Sequence, residues 1–129
     1  MQISVDPAAI AEIIQEVAEA EILPRYQSLT DDEIMQKKGG EVVTIADEES
    51  ERALAKKLTA LLPGSIVLGE EGFAKDPTLM AALNGDAPVW IIDPIDGTKN
   101  FAAGKWPFVV IVALSLKGET VMGWIYDPV

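Results

Sequence analysis

The 129-residue chain contains no histidine and no cysteine. These two absences exclude Ser-His-Asp and Cys-His catalysis, zinc held by imidazole or thiolate, disulfides and thiol redox chemistry. Cations are scarce too: 10 Lys and Arg stand against 21 Asp and Glu, for a formal net charge of -11, and beyond Lys37 and Lys38 the basic residues form no stripe. Phosphate backbones are held by clustered cations, so nucleic acid is not expected as a partner. No apolar run reaches the roughly 18 residues of a membrane span, and no basic start leads into an apolar stretch with a small-residue cleavage site. A cytoplasmic chain with no membrane partner is the expectation. What remains for chemistry is carboxylates, hydroxyls, lysines, backbone groups and any cation they hold. Oxygen donors of that kind suit Mg2+, Mn2+ or Ca2+, and a chain this acidic needs such ions to handle phosphate.

With 49% hydrophobic residues the chain is long enough for about one domain with its own core. Asp6 followed by Pro7 is an N-cap with proline at the first helical position, and Ile10, Ile13, Ile14 and Val17 recur at helical spacing. Pro24 ends or kinks this helix, with the polar run "RYQSLTDDEIMQ" able to carry helix further, up to Gly39 and Gly40. "KKGGEVVT" reads as a flexible loop entering a short strand. Thr44 and Asp47 open a second helix with a capping-box pattern, and Leu54, Leu58, Leu61 and Leu62 give it an apolar stripe that stops at Pro63 and Gly64. "SIVLGEEG" is a short strand ending in Glu70 and Glu71, and "DPTLMAALNGD" a short helix capped by Asp76. "PVWII" is a buried strand, and the runs "FVVIVALSL" and "ETVMGWIYDP", joined by Lys117 and Gly118, form an antiparallel hairpin. This order predicts an α+β fold, two N-terminal helices packed on a mainly antiparallel sheet.

Carboxylates recur at element ends: Asp47 after Thr44, then Glu70 and Glu71, then Asp93 and Asp96. An aspartate at a helix start is commonly a cap, and "GEEG" alone is commonly a solvated turn. Asp93 and Asp96 stand apart, because Pro94 fixes one backbone angle between them and both follow a buried strand. Two carboxylates so close repel each other and raise a pKa unless a cation compensates. Gly97 then allows close backbone approach, and the amides of Gly97, Thr98 and Lys99 face an anion at the start of a helical turn. Cation and amides together point to a phosphate group.

At these residues the chain resembles the inositol monophosphatase family of Mg2+-dependent, lithium-sensitive phosphatases. The resemblance rests on "WIIDPIDGTKNF", on "GEEG" about twenty residues upstream and on "VTIADEESE" before that. It implies the N-terminal half of a layered αβαβα sugar-phosphatase fold, with residues 1–129 as a partial, metal-binding domain. It implies Glu70, Asp93 and the carbonyl of Ile95 as ligands of one Mg2+ (Mn2+ as a substitute), and Asp93 and Asp96 as ligands of a second. It further implies Thr98, backed by Asp47, as the group that orients and deprotonates the attacking water. Glu70 assists through the metal-bound water, and Gly97 and Thr98 hold the phosphate. Lys37 matches the region of a mobile-loop lysine. The partners implied are a small phosphorylated substrate, such as an inositol phosphate, and a second copy in a homodimer.

Family members run to about twice this length, and their second half supplies another aspartate to the second metal and most contacts to the organic part of the substrate. A chain cut within a domain, poorly active or inactive alone, is therefore expected. Within the family, Lys99 leans toward histidinol-phosphate phosphatases and Asn100 toward the inositol monophosphatase type. A haloacid-dehalogenase-type phosphatase, whose aspartates stand two apart, fits the three-residue spacing poorly. A non-catalytic, truncated metal-binding or structural domain is the alternative from a different class.

Overall fold

A computed structural model describes residues 5–36, 42–70 and 77–129. Helix α1 (Pro7–Val17) starts as expected, the Asp6 carboxylate accepting the Ala8 N–H at 3.0 Å, and it buries Ile10, Ile14 and Val17. The helix loosens into a π turn (Ala18–Ile22) and tightens into a 3-10 turn (Leu23–Arg25) around Pro24, whose missing N–H forbids continuation. The polar run beyond does not carry helix further. Gln27 adopts a left-handed φ of 64°, Ser28 Oγ turns back to donate to the Pro24 carbonyl at 2.7 Å, and only a 3-10 turn (Asp31–Glu33) follows. Strand β1 (Ile34–Gln36) then pairs antiparallel with β2 (Val42–Thr44), Ile34 opposite Thr44. Lys37, Lys38, Gly39 and Gly40 lie outside the described residues, as do Glu71 and Asp76.

Helix α2 (Ile45–Leu61) buries Ala46, Asp47, Ser50, Leu54 and Leu58. Leu62 continues that stripe against the core, whereas Leu61 is 43% exposed, so one member of the anticipated apolar stripe faces solvent. Gly64, at φ 86°, closes the helix. Strand β3 (Ile66–Gly69) runs parallel to β4 (Val89–Asp96), the crossover between them containing a 3-10 helix (Pro77–Asn84). Antiparallel β5 (Val109–Leu116) and β6 (Glu119–Tyr126) complete a four-stranded sheet of order β3-β4-β5-β6. Lys117 and Gly118, at φ 52° and 82°, make the two-residue hairpin turn whose twist suits the flanking strands.

Helices α1 and α2 pack on one face of this sheet around Trp90, Phe101 and Phe108. Phe108 meets Phe101 edge-on at 5.0 Å and Tyr26 at 4.9 Å, while Trp124 Nε1 donates to the Pro7 carbonyl and ties β6 to the start of α1. Two of the three strand pairings are antiparallel, so the α+β expectation holds, with β3 as a parallel edge. Among the described residues no helix is long and apolar enough to cross a membrane.

Candidate active site

Three local features converge at one end of β4. The first is the start of α2. Thr44 is its N-cap and Asp47 its third residue, and Asp47 Oδ2 accepts from the Thr44 backbone N–H at 2.7 Å and from Thr44 Oγ1 at 2.8 Å. The capping box therefore forms, but it occupies only one oxygen of a carboxylate that is 6% exposed. Oδ1 accepts from Thr98 Oγ1 at 2.9 Å, across 51 positions of sequence.

The second feature is a bulge. The strand does not end at Ile92, as its apolar run suggested, but continues through Asp96. Residues three apart on a regular strand point to opposite faces. Here Asp93 pairs with Ile111 and Asp96 with Val109, so three steps on β4 match two on β5. The extra residue restores the parity and turns both aspartates into the same cleft. Pro94, which has no N–H to offer the ladder, sits inside this irregularity. Ile95 is 2% exposed: its side chain belongs to the core while its carbonyl lies 2.9 Å from Thr98 Oγ1. A hydroxyl carries one proton, so Thr98 donates to either Ile95 O or Asp47 at any instant, and the carboxylate is the stronger acceptor.

The third feature is the entry to the short helix α3 (Thr98–Ala102). Gly97 is its N-cap at φ 98°, and a Cβ there would lie 2.9 Å from the Pro107 carbonyl oxygen and 3.3 Å from Phe108 Cα. Only glycine accommodates both the left-handed backbone and the close approach of Pro107 and Phe108. Asn100 Nδ2 donates to the same Pro107 carbonyl at 2.9 Å and fixes this lead into β5 in place.

The resulting cleft, of about 280 Å3, is lined by Val42, Val43, Asp47, Glu70, Asp93, Ile95, Asp96, Gly97, Thr98 and Lys99. All seven residues singled out for catalysis, metal or phosphate line it together. Glu70 reaches it from the end of β3, in an exposed position. Val42 and Val43 were not anticipated, because the packing of β2 against α3, more than fifty positions away in sequence, brings them alongside. A second cleft, of about 310 Å3 between α1 and β6, has no ionisable lining group other than Tyr126.

Asp93 is the electrostatic focus. Its pKa is raised from 3.8 to about 6, first by burial and then by the charges of Asp96, Glu70 and Asp47, with a hydrogen bond from the Ile95 backbone opposing. A bound cation would oppose both effects by favouring the ionised carboxylate. Among the described residues no three carboxylates already form a closed cage. The carboxylates and the Ile95 carbonyl nonetheless suit a hard divalent cation in donor type and in charge.

The chain matches the model of the inositol monophosphatase family over residues 3–129. It is 40% identical over 85 residues to the inositol-1-monophosphatase of Mycobacterium bovis, covering 66% of this chain and 29% of that protein. It is 39% identical over 108 residues to the inositol monophosphatase of Dictyostelium discoideum, covering 84% and 38%. Among solved structures, an IMPase of Thermotoga maritima superposes with a TM-score of 0.76 at 27% identity, covering 94% of this chain and 43% of that one. The chain thus spans well under half the length of these relatives.

Proposed function

The chain belongs to the inositol monophosphatase family, and from that premise we propose that it serves the hydrolysis of small phosphate monoesters with Mg2+, or Mn2+ in its stead. The observation that carries the proposal is the Thr98–Asp47 hydrogen bond, inside a cleft that also gathers Glu70, Asp93 and Asp96. Glu70, Asp93 and the Ile95 carbonyl would hold one cation, and Asp93 and Asp96 a second. A divalent cation there supplies a lowered water pKa and neutralises phosphate charge.

The chain's own residues do the rest. Thr98 Oγ1, donating to Asp47, keeps its lone pairs for a water in the cleft. As that water attacks phosphorus, its proton passes to Thr98 Oγ1 while the Thr98 proton moves onto Asp47 Oδ1, and the ester P–O bond breaks to release the alcohol, which takes its proton from solvent. Asp47 is held for this by Thr44, whose two donors fix Oδ2 and leave Oδ1 aimed at Thr98. Gly97 brings the first turn of α3 close to the cleft, where its amides would meet the phosphate oxygens. Without histidine, this hydroxyl-carboxylate pair is the available route for the proton.

The substrate class proposed is a phosphorylated small molecule such as an inositol phosphate. Residues 1–129 hold the metal and water-orienting part of the site, act in a cytoplasmic setting and pair with a second copy. Phosphate release from inositol monophosphate in Mg2+ tests the reading. The intact chain is expected to turn over far more slowly than a full-length relative, with the residual rate abolished by EDTA and cut about 100-fold or more in Thr98→Ala. A rate unaffected by EDTA or by Thr98→Ala would contradict it.

A further inference from the structure

Helix α2 carries a second carboxylate one turn beyond Asp47. Residues four apart lie on the same side of a helix, so Glu51 follows Asp47 toward the sheet. Its destination is the end of β3. A Cβ built on Gly69 would lie 2.5 Å from Glu51 Cδ, 3.0 Å from its Cγ and closer still to Oε1. The Glu51 carboxyl group therefore occupies the volume that any other residue at position 69 would fill.

Gly69 differs from Gly64 and Gly97 in what it is for. Those two have left-handed φ values of 86° and 98°, whereas Gly69 lies outside that region. The backbone at 69 does not ask for glycine; the approach of Glu51 does. Gly69 is buried, it is the last residue of β3, and its next peptide carries Glu70 into the cleft. Glu51 itself does not line that cleft, and the charges that raise Asp93 are those of Asp96, Glu70 and Asp47.

We propose that Glu51 is a positioning residue for Glu70. Its carboxylate braces the end of β3 against α2, so that one helix fixes two members of the site, Asp47 directly and Glu70 through the Gly69 backbone. This rests on the reading of Glu70 as a metal ligand. Residues that hold a ligand in place, without touching the metal, typically contribute about 10–100-fold in metal affinity.

The test is Mn2+ affinity of the intact chain, by calorimetry or by the free-ion spin-resonance signal, in Glu51→Ala, Glu51→Gln, Gly69→Ala and the double variant Glu51→Ala/Gly69→Ala. Gly69→Ala keeps Glu51 chemically intact and evicts it. Both alanine singles are expected to weaken Mn2+ binding by about tenfold or more, Glu51→Gln by less. The double variant should be no weaker than the weaker single, because both changes remove one contact. Melting of the metal-free proteins is the control. Lowered melting temperatures with unchanged Mn2+ affinity in Glu51→Ala and Glu51→Gln would overturn the proposal, as would additive losses in the double variant. A wild-type chain that binds no Mn2+ would overturn the proposed function itself, and this inference with it.

Discussion

Asp93 concentrates the chemistry into one titration. Its pKa stands at about 6 in the folded chain against 3.8 ordinarily. Below about pH 4 both folded and unfolded forms carry the proton, and between roughly 4 and 6 the folded form alone keeps it. The stability of the metal-free chain should therefore fall as pH rises through this window and stay lower above it. Asp93 is half-buried, so solvent screening moderates the effect. Melting temperatures at pH 4.5 and 7 should show the fall, Asp93→Asn should flatten it, and Mg2+ should raise the melting temperature more at pH 7 than at pH 5. Thr98 gives a second test at this scale. Thr98→Val keeps the shape but removes the hydroxyl that donates to the Asp47 carboxylate, which should cost about 1–3 kcal/mol in urea denaturation. Sequence motifs identified both residues because the chemistry needs these side-chain types in this order. They could not identify Glu51, which fills the space over Gly69 eighteen positions away, nor Val42 and Val43, which the packing of β2 against α3 brings to the cleft.

Among the elements, local signals were reliable wherever the deciding interaction was itself local. Asp6 before Pro7, Thr44 with Asp47, and Lys117 with Gly118 each act within four residues, and each forms the cap or turn expected. Pro24 ends the first helix as expected; the polar run beyond it does not resume helix, because Gln27 turns left-handed and Gln27 Nε2 donates to the Gly104 carbonyl at 3.1 Å, tying this turn to the end of α3. The misjudged boundary depended on a longer-range partner. Strand β4 outruns its apolar stretch because β5 offers partners as far as Val109. The bulge between Asp93 and Asp96 is a property of that pair of strands, and Pro94 was its one visible trace. Glycine substitutions test how the elements are joined. Gly97→Ala combines backbone strain with a 2.9 Å approach to the Pro107 carbonyl, whereas Gly64→Ala meets open space. Strain alone costs about 1–3 kcal/mol, so urea denaturation should show Gly97→Ala as the more destabilising of the two. Equal losses would mean that the packing of Phe108 on Gly97 contributes nothing.

Taken whole, the molecule is a helix-covered sheet with an acidic cleft at one end and an apolar strand at the edge opposite β3. Val121 and Ile125 on β6 are 48% and 76% exposed. Among the described residues β6 is an edge strand, and apolar surface at an edge favours association, so sedimentation should show a concentration-dependent dimer that Ile125→Lys weakens. The central claim is that the cleft is a divalent-cation site built around Asp93, in a chain whose net charge of -11 leaves its carboxylates in need of compensation. Calorimetric titration of the intact chain with Mn2+ at pH 7 tests that claim most directly. Saturable binding that disappears in Asp93→Asn is predicted; no binding, or binding that Asp93→Asn leaves intact, would contradict it.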